Sequence, residues 1–361
     1  METVLAILRE VRDPRAENAQ HKLAEVLFIA LAACLCGAQS CCEMAAFGRA
    51  KEAFLRQMLV LEHGIPSHDT FSRVFRLIDP TALAQVLGLF TRAFGQAARG
   101  VVAVDGKSLR RGYEAGLAHM PPLMVSVWAT ETRLTLAQVE AAGGNETAAA
   151  IAALKLLNLK GCTVTADALH CRADTAQTIV AAGGDYVLAL KANQPRLWAE
   201  AEAACAKPRR GTPAAETVGG AHGRSEWRSA IVAPLTKADA GNPFPRLAAV
   251  ARIDRQRETA GKTETSRHYY ILSRRMPSAE VLAAVRKHWD IENGLHWRLD
   301  VVFDEDRARN RKDNSPANLA ALRRITMNFL QTHPAKSSIA IKRRTAGWND
   351  NFLIELLTHM R

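Results

Sequence analysis

VVAVDGKSLR, at residues 101–110, is a short apolar run that stops at an acidic residue and a glycine. Such a run is typical of a buried strand, and Asp105-Gly106 is typical of the turn at which the strand ends. The pattern recurs in VTADALH at residues 164–170, where the apolar run stops at Asp167. Carboxylates at two strand ends can share one crevice, which is where α/β sheets bind ligands. The alternative for each aspartate is that it only caps the turn after its strand.

The segments around these strands alternate between strand-like and helical patterns. Two apolar runs separated by polar turn residues, 122–130 and 135–141, predict a hairpin, and DYVLALK at 185–191 predicts another strand. Helices are predicted between the later strands, at residues 146–157, at 175–182 and after Pro195. This order predicts an α/β fold in which a mixed sheet is flanked by crossover helices.

The regions on either side of this core differ from it in composition. Residues 1–98 follow helical patterns, and a helix–turn–helix-like DNA-binding bundle is one interpretation. The near-neutral balance of 11 basic and 10 acidic side chains in the first hundred residues weakens that interpretation. Residues 206–276 are rich in Gly, Pro and Arg and contain strand-like runs, which predicts a β-rich insertion. A helix is predicted from Pro277 to about Leu299, followed by more helices. We therefore predict a helical domain at 1–98 and a second domain at 99–361.

The chain is strongly basic, with a net charge of +12 over 361 residues and an isoelectric point of about 9.6. This balance favours a polyanionic partner, either nucleic acid or an anionic membrane surface. No apolar run reaches about 18 residues, so the sequence predicts no membrane span. The seven cysteines lack paired C-x-x-C spacing, which favours reduced thiols in the cytoplasm over disulfides or a cysteine zinc site.

A third acidic candidate is Glu292, in the helical stretch RKHWDIENGLHWRLD. A carboxylate on a helix beside the sheet would complete a three-carboxylate site with Asp105 and Asp167. Hard oxygen ligands of this kind favour Mg²⁺ or Mn²⁺ over zinc. Two such ions can activate a water and stabilise the leaving oxygen of a phosphodiester, which suits a basic protein that handles DNA.

Two alternatives compete with this three-carboxylate site. His288, Glu292 and His296 lie four residues apart on one helical face, which zinc could use, although the compact H-E-x-x-H pattern is absent. The run Asp304-Glu305-Asp306 offers other acids nearby, or forms a solvated turn.

The segments that carry these residues resemble the ISAs-type insertion-sequence transposases, a family also called H-repeat-associated proteins. The similarity runs through VAVDGKSLR, VTADALHCR, DYVLALKANQPRL and HWDIENGLHWRLDVVFDEDRARNRKDNSPANLAALRR. The amino-terminal part resembles the domain associated with this family, through DPRAENAQHKL, ALAACLCGA and GIPSHDTFSRVFRLIDP. The matches occur in sequence order and span nearly the whole chain.

The resemblance implies a ribonuclease-H-like catalytic fold with an Asp-Asp-Glu (DDE) triad at Asp105, Asp167 and Glu292. It also implies two Mg²⁺ or Mn²⁺ ions and a reaction that cuts insertion-element ends in double-stranded DNA and joins them to target DNA. On the same basis we expect a homo-oligomer when DNA is bound. The expected location is the bacterial cytoplasm, in association with the nucleoid.

The groups that would contact DNA are less well defined by the sequence. Related transposases often have a Tyr, an Arg and a Lys around the glutamate, and these places hold Val285, His288 and Leu299 here. Residues 307–344 carry ten Lys or Arg against one acid, which predicts a phosphate-binding surface or, alternatively, a solvated basic face. The predicted DNA-binding residues are Lys107, Lys191, Asn193, Arg224, Arg228, His288, Asn293, His296, Arg309, Arg323 and Arg324.

Two other functions fit the same residues. An inactive or domesticated relative would keep the fold and bind DNA without cutting it, whereas a metal-dependent nuclease would cut DNA without joining it. The presence of all three carboxylates argues against simple decay.

Overall fold

The protein is described by a computed structural model over residues 2–95, 98–113, 121–206, 215–221, 224–235, 242–259 and 262–360. Arg224 belongs to a strand, but its side chain lies outside the described part of the chain. In the described ranges, no single helix is long and apolar enough to cross a membrane. Two consecutive helices bent by 95° pass that test together, by length and composition only.

The amino-terminal part is helical, as the sequence predicts. Several helices begin at side chains that accept hydrogen bonds from the first turn, such as Ser40, which forms a capping box with Glu43, and Asp79. The second helix is buried on almost every side, because its sequence is apolar all round. The helices are α1 (Glu2–Arg9), α2 (Leu23–Leu35), α3 (Cys41–Ala50), α4 (Glu52–Leu55), α5 (His68–Leu77) and α6 (Pro80–Ala93).

Five strands form the centre of the following sheet. They are β1 (Gly100–Ser108), β2 (Leu123–Ala129), β3 (Leu134–Glu140), β4 (Cys162–Ala166) and β5 (Asp185–Leu190). Their order is β3-β2-β1-β4-β5, with β1, β4 and β5 parallel and β2 antiparallel to both of its neighbours. This mixed sheet confirms the α/β, ribonuclease-H-like fold that the sequence predicts.

Strand β1 is longer than the sequence predicts. The apolar run suggests an end at Asp105-Gly106, whereas pairing with β2 continues to Ser108, opposite Leu123. Pairing with β4 stops earlier, at Val104 opposite Ala166. In the described structure, the last four residues of β1 therefore have no paired strand on the side of β4, and we call this side the open edge of β1. Asp167, the residue after β4, follows the residue that pairs with Val104, just as Asp105 follows Val104.

Helices pack on both faces of the sheet, and successive residues of β1 point to opposite faces. Val102 and Val104 belong to the core on the side of α7 (Glu146–Lys155), α8 (Ala173–Ala181) and α9 (Pro195–Ala206). Ala103 belongs to the core on the opposite side. By the same alternation, Asp105 faces that opposite side, while Gly106 faces α7.

The β-rich insertion extends the same sheet and does not form a separate one. Its strands are β6 (Ala215–Ala221), β7 (Arg224–Pro234), β8 (Ala249–Thr259) and β9 (Lys262–Leu272), joined in antiparallel pairs. Strand β9 pairs with β5, which gives a nine-stranded sheet. The insertion therefore extends the sheet on the side of β4 and β5, next to the end of β4 that carries Asp167.

The segment around Glu292 is not the continuous helix to Leu299 that the sequence predicts. Helix α10 (Ser278–His288) is followed by a π-helical turn, Ile291–His296, and then by α11 (Trp297–Val301). Gly294 lets the turn approach the buried Trp128, since a Cβ there would lie 3.2 Å from the indole ring. π-Helical turns are rare and often occur at functional sites.

The last helices are α12 (Ser315–Thr332), α13 (Ile339–Trp348) and α14 (Asp350–Thr358). Pro316 lies in the first turn of α12, where a missing backbone N–H costs nothing, so it suits the beginning of this helix. These helices share one hydrophobic core with α1 to α6 and with the π-helical turn. The amino-terminal helices are thus packed into the same body that holds Glu292.

Candidate active site

Two carboxylates and one imidazole meet where β1 passes the π-helical turn. The imidazole Nδ1 of His296 lies 3.6 Å from Oδ2 of Asp105 and 3.4 Å from Oε2 of Glu292. One donor atom from each of the three side chains lies within 4.8 Å of the other two. His296 is 5% exposed, and its Nε2 has no hydrogen-bond partner among the described residues. The donor set fits a divalent cation, because such an ion would neutralise the two carboxylates.

The cluster contains more carboxylates than basic groups, and this imbalance changes the pKa values of its acids. Burial raises the pKa of Asp105 to about 6, the neighbouring carboxylates of Glu292 and Glu146 add to the rise, and His296 opposes it. The hydrogen bond from His296 lowers the pKa of Glu292, so this more exposed carboxylate is the more readily ionised of the two. Shifted groups of this kind concentrate at functional sites.

Asp167 lies on the neighbouring strand end, as predicted, but outside this cluster. Its Oδ1 accepts hydrogen bonds from the backbone N–H groups of Leu169 at 3.0 Å and His170 at 3.4 Å. The carboxylate therefore caps its own turn, which is the alternative that the sequence left open. Its side chain is 51% exposed, so it can turn toward the cluster without disturbing the core.

The zinc set of His288, Glu292 and His296 is not formed. The Nδ1 of His288 lies 3.2 Å from the hydroxyl of Thr165, and His288 is absent from the cluster of Asp105, Glu292 and His296. The π-helical turn changes the spacing on which the helical row depended. Burial lowers the pKa of His288, which favours a neutral ring beside Asp167 and Glu292.

Comparison with known proteins settles the family. The sequence matches the family model described as Transposase DDE domain over residues 96–329, and the one described as DDE_Tnp_1-associated over residues 5–91. The chain belongs to the DDE transposase family. Relatives include the putative protein YbfL of Escherichia coli K12, which is 31% identical over 95% of this chain and 94% of that protein.

The H repeat-associated putative transposase YhhI of the same strain is 30% identical over 94% of this chain and 93% of that protein. This relative confirms the H-repeat-associated resemblance seen in the sequence. A solved synaptic complex of piggyBac transposase with hairpin DNA aligns with a TM-score of 0.46 at 11% identity, over 98% of this chain and 79% of that one.

Lys107 of this DDE transposase does not have the role that the sequence predicts. Its side chain is 8% exposed, and its ammonium lies 2.8 Å from Asp300 and 2.9 Å from Asp306. Burial alone would lower the pKa of Lys107, but its bonds to these two carboxylates outweigh burial and raise it. A lysine held by two acids is not available to a phosphate, so we correct its assignment from DNA contact to internal ion pair.

The acidic run 304–306 is likewise part of the internal pairing. Glu305 is 2% exposed and lies 3.0 Å from the guanidinium of Arg324 and 3.8 Å from that of Arg323. Asp306 pairs with Lys107 and, at 3.1 Å, with Arg110. Glu305 and Asp306 are therefore partners in internal ion pairs, whereas Asp304 is 36% exposed and lies 3.6 Å from the exposed Arg307.

Part of the basic carboxy-terminal segment is buried, which corrects a second prediction. Arg324 is fully buried and Arg323 is 5% exposed, so neither side chain reaches a DNA surface. Lys342 and Arg343 are also buried, and Arg343 donates to the carbonyl of Cys34 at 2.9 Å. The basic side chains of this segment that remain exposed are Arg307, Arg309, Lys312, Lys336 and Arg344.

Three of the other predicted DNA contacts line a cavity of about 310 Å³ between strands β4 and β5 and the insertion. Lys191 and Arg228 line it with Arg255, Arg286, Asp167 and His288, although Arg228 also pairs with Glu226 at 2.6 Å. Asn193 is engaged elsewhere, since its amide donates to the carbonyl of Ala168 at 2.8 Å. Asn293 and Arg309 are exposed.

The sequence-based predictions of site residues did not include Glu146. Glu146 and His170 lie beside the open edge of β1, with His170 Nε2 at 3.4 Å from Oε1 of Glu146. The available signal was weak, because Glu146 is an ordinary first-turn acid of a helix. Glu146 is far from Asp105 in the sequence, so residue spacing does not indicate that the two side chains are close in the fold.

Proposed function

We propose that this chain is an active DNA transposase that cleaves insertion-element ends and joins them to target DNA. The observation that carries the proposal is the convergence of Asp105, Glu292 and His296 at the open edge of β1, in a chain of the DDE family. Asp167 would complete the triad by leaving its cap and turning toward Asp105. The cap costs little to break, since the side chain is half exposed and neutral donors hold it.

Asp105, Asp167 and Glu292 would hold two divalent ions, Mg²⁺ or Mn²⁺, as an oxygen-rich donor set favours these metals. When bound, the ions supply activation of the attacking oxygen and stabilisation of the leaving oxygen. His296 holds the Glu292 carboxylate in place from one side and faces Asp105 from the other. Burial of His296 fixes its ring, so the two carboxylates keep their relative position.

The basic wall of the neighbouring cavity would hold the DNA backbone. Lys191, Arg228, Arg255 and Arg286 bring four positive side chains to one cavity next to Asp167, and Glu226, which pairs with both Arg228 and Arg255, offsets one of these charges. Phosphate contacts from such groups position DNA without reading its sequence. Trp289, which is 56% exposed, lines the same cavity and offers an aromatic face to an unpaired base.

The partners and organisation follow from the same proposal. Double-stranded DNA, as element ends and as target, is the proposed substrate, and a homo-oligomer would form when DNA is bound. We keep 1–98 as an associated domain with a DNA-binding role and 99–361 as the catalytic domain, with the insertion at about 206–276. The proposed location is the cytoplasm, in association with the bacterial nucleoid.

The test is a joining assay with DNA that carries the element end and a supercoiled target plasmid. In Mg²⁺ the unaltered chain should yield both cut ends and covalently joined products, and Glu292→Gln should yield neither while it still binds DNA. Cutting without joining would support the nuclease alternative. DNA binding without cutting by the unaltered chain would support an inactive relative.

A further inference from the structure

Glu146 contacts the catalytic strand at a place where only glycine leaves room for it. A Cβ added to Gly106 would overlap the Glu146 carboxylate, with the carboxyl carbon at 2.7 Å. Gly106 does not have a positive φ, so its backbone conformation does not require glycine. A side chain at residue 106 would therefore displace the Glu146 carboxylate from its present position.

The opening at the edge of β1 gives this carboxylate access to the catalytic cluster. Pairing between β1 and β4 ends one residue before Asp105, and Gly106 has no side chain to separate the two faces. The carboxylate of Glu146 is 21% exposed and acts on Asp105 as a like charge. A second acid in this position destabilises the site unless a cation compensates it.

His170 is the second observation that points to a ligand here. It is 1% exposed, and neither ring nitrogen has a hydrogen-bond partner within the described ranges. Its Nε2 faces Oε1 of Glu146 at 3.4 Å and Oδ1 of Asp167 at 4.0 Å. A buried polar group that lacks a hydrogen bond is costly, and the contacts of this ring are long ones to two carboxylates, of which Glu146 acts on Asp105.

We propose that Glu146 is a fourth acidic ligand of the metal site, held by His170 and admitted by Gly106. The inference rests on the proposed function, because the same divalent ions are the ligand. Glu146 supplies one more oxygen donor on the Gly106 side of Asp105, opposite to Glu292. His170 is a positioning residue that orients Glu146 and Asp167 toward each other.

The competing explanation is that Glu146 only stabilises the first turn of α7, where an acid interacts favourably with the helix dipole. Glu43 provides a matched control, since it is a first-turn acid of α3 in a capping box. Glu146→Gln and Glu43→Gln both remove one such charge and keep the shape of the side chain. A helix-end role predicts the same result for both variants.

The test is a Mn²⁺ titration of the full chain without DNA, with free Mn²⁺ measured by electron paramagnetic resonance. Glu146→Gln should weaken Mn²⁺ binding by at least about tenfold, because a ligand should contribute no less than the outer-shell partners of a metal site. Glu43→Gln should leave the affinity unchanged. Gly106→Ala should match Glu146→Gln, and the double variant should bind no more weakly than either single variant.

Unchanged Mn²⁺ affinity in Glu146→Gln would overturn the inference, and that variant decides the matter if Gly106→Ala fails to fold. Asp105→Asn distinguishes failure of the Glu146 inference from failure of the proposed metal site. If Asp105→Asn loses Mn²⁺ and Glu146→Gln keeps it, only the inference fails. If the unaltered chain shows no saturable Mn²⁺ binding, the proposed metal site fails with it.

Discussion

The two most charged regions of the molecule differ in how their charges are compensated. Between α12 and the end of β1, Arg324 faces Glu305 at 3.0 Å and Lys107 faces two aspartates, so these buried charges have opposite partners. At the open edge of β1, Asp105 is surrounded by Glu292 and Glu146, with His296 as the neighbouring base. Paired charges hold elements together, whereas uncompensated like charges cost stability and persist where a ligand supplies the missing charge.

The largest expected effect concerns Asp167, whose carboxylate caps a turn in this structure. Asp167→Asn should reduce Mg²⁺-dependent DNA cleavage by at least about 10³-fold, if loss of a ligand costs about 4 kcal/mol of transition-state stabilisation. Asp174→Asn is the matched control, because Asp174 is also 51% exposed and accepts from a backbone N–H. Equal activity of the two variants in a cleavage time course would mean that Asp167 is only a cap.

The paired region should respond in stability. Arg324→Met leaves Glu305 in the core without its nearest partner, and the free energy of unfolding should fall by about 3–5 kcal/mol. Arg309→Gln, at an exposed position, should change it by less than about 0.5 kcal/mol. Urea unfolding followed by circular dichroism measures both, and similar values would contradict the structural role of Arg324.

At the open edge of β1, removing a charge should raise the free energy of unfolding, the opposite of the effect at Arg324. The pKa of Asp105 is raised to about 6 in the folded state, above its ordinary value of 3.8, so ionisation of this group opposes folding. The penalty is absent below pH 3.8, grows between pH 3.8 and 6, and is complete above that range.

Asp105→Asn should therefore raise the free energy of unfolding, measured with chelator present, by about 2–3 kcal/mol at pH 7.5. The gain should shrink as the pH approaches 4. Urea unfolding at several pH values measures it, and a loss of stability at pH 7.5 would show that Asp105 is compensated in the folded protein.

The smallest effects are expected from exposed cations. Lys191→Gln and Arg309→Gln should each reduce the slope of log affinity for duplex DNA against log salt by about 0.9, the value for one phosphate contact. Fluorescence anisotropy at several salt concentrations measures this slope. A slope identical to that of the unaltered chain would place the phosphate contacts on other residues.

The sequence predicted the strands and helices of the core well, since apolar runs and their polar breaks are local features. It also placed Asp105 and Asp167 on neighbouring strands, although Asp105 lies within β1, which continues to Ser108, and only Asp167 follows its strand. It did not predict the π-helical turn at Glu292, where Gly294 approaches Trp128, a residue far away in the sequence.

Charge composition was the least reliable guide to the site. Arg323 and Arg324 look like surface residues in the sequence, and their burial depends on Glu305, which a count of basic residues does not reveal. Glu146 was missed because it looks like an ordinary acid of a helix start, whereas its proposed role depends on its contact with Gly106 in the fold. Both are properties of the assembled sheet and its covering helices.

The most direct measurement of the central claim is the metal preference of Asp105→Cys in the cleavage and joining assay. A thiolate is a poor ligand for Mg²⁺ and a better one for softer ions such as Mn²⁺. If Asp105 binds the metal, the variant should be inactive in Mg²⁺ and regain part of its cleavage and joining in Mn²⁺. Full activity in Mg²⁺, or folded protein that stays inactive in both metals, would contradict a metal-dependent site built on Asp105.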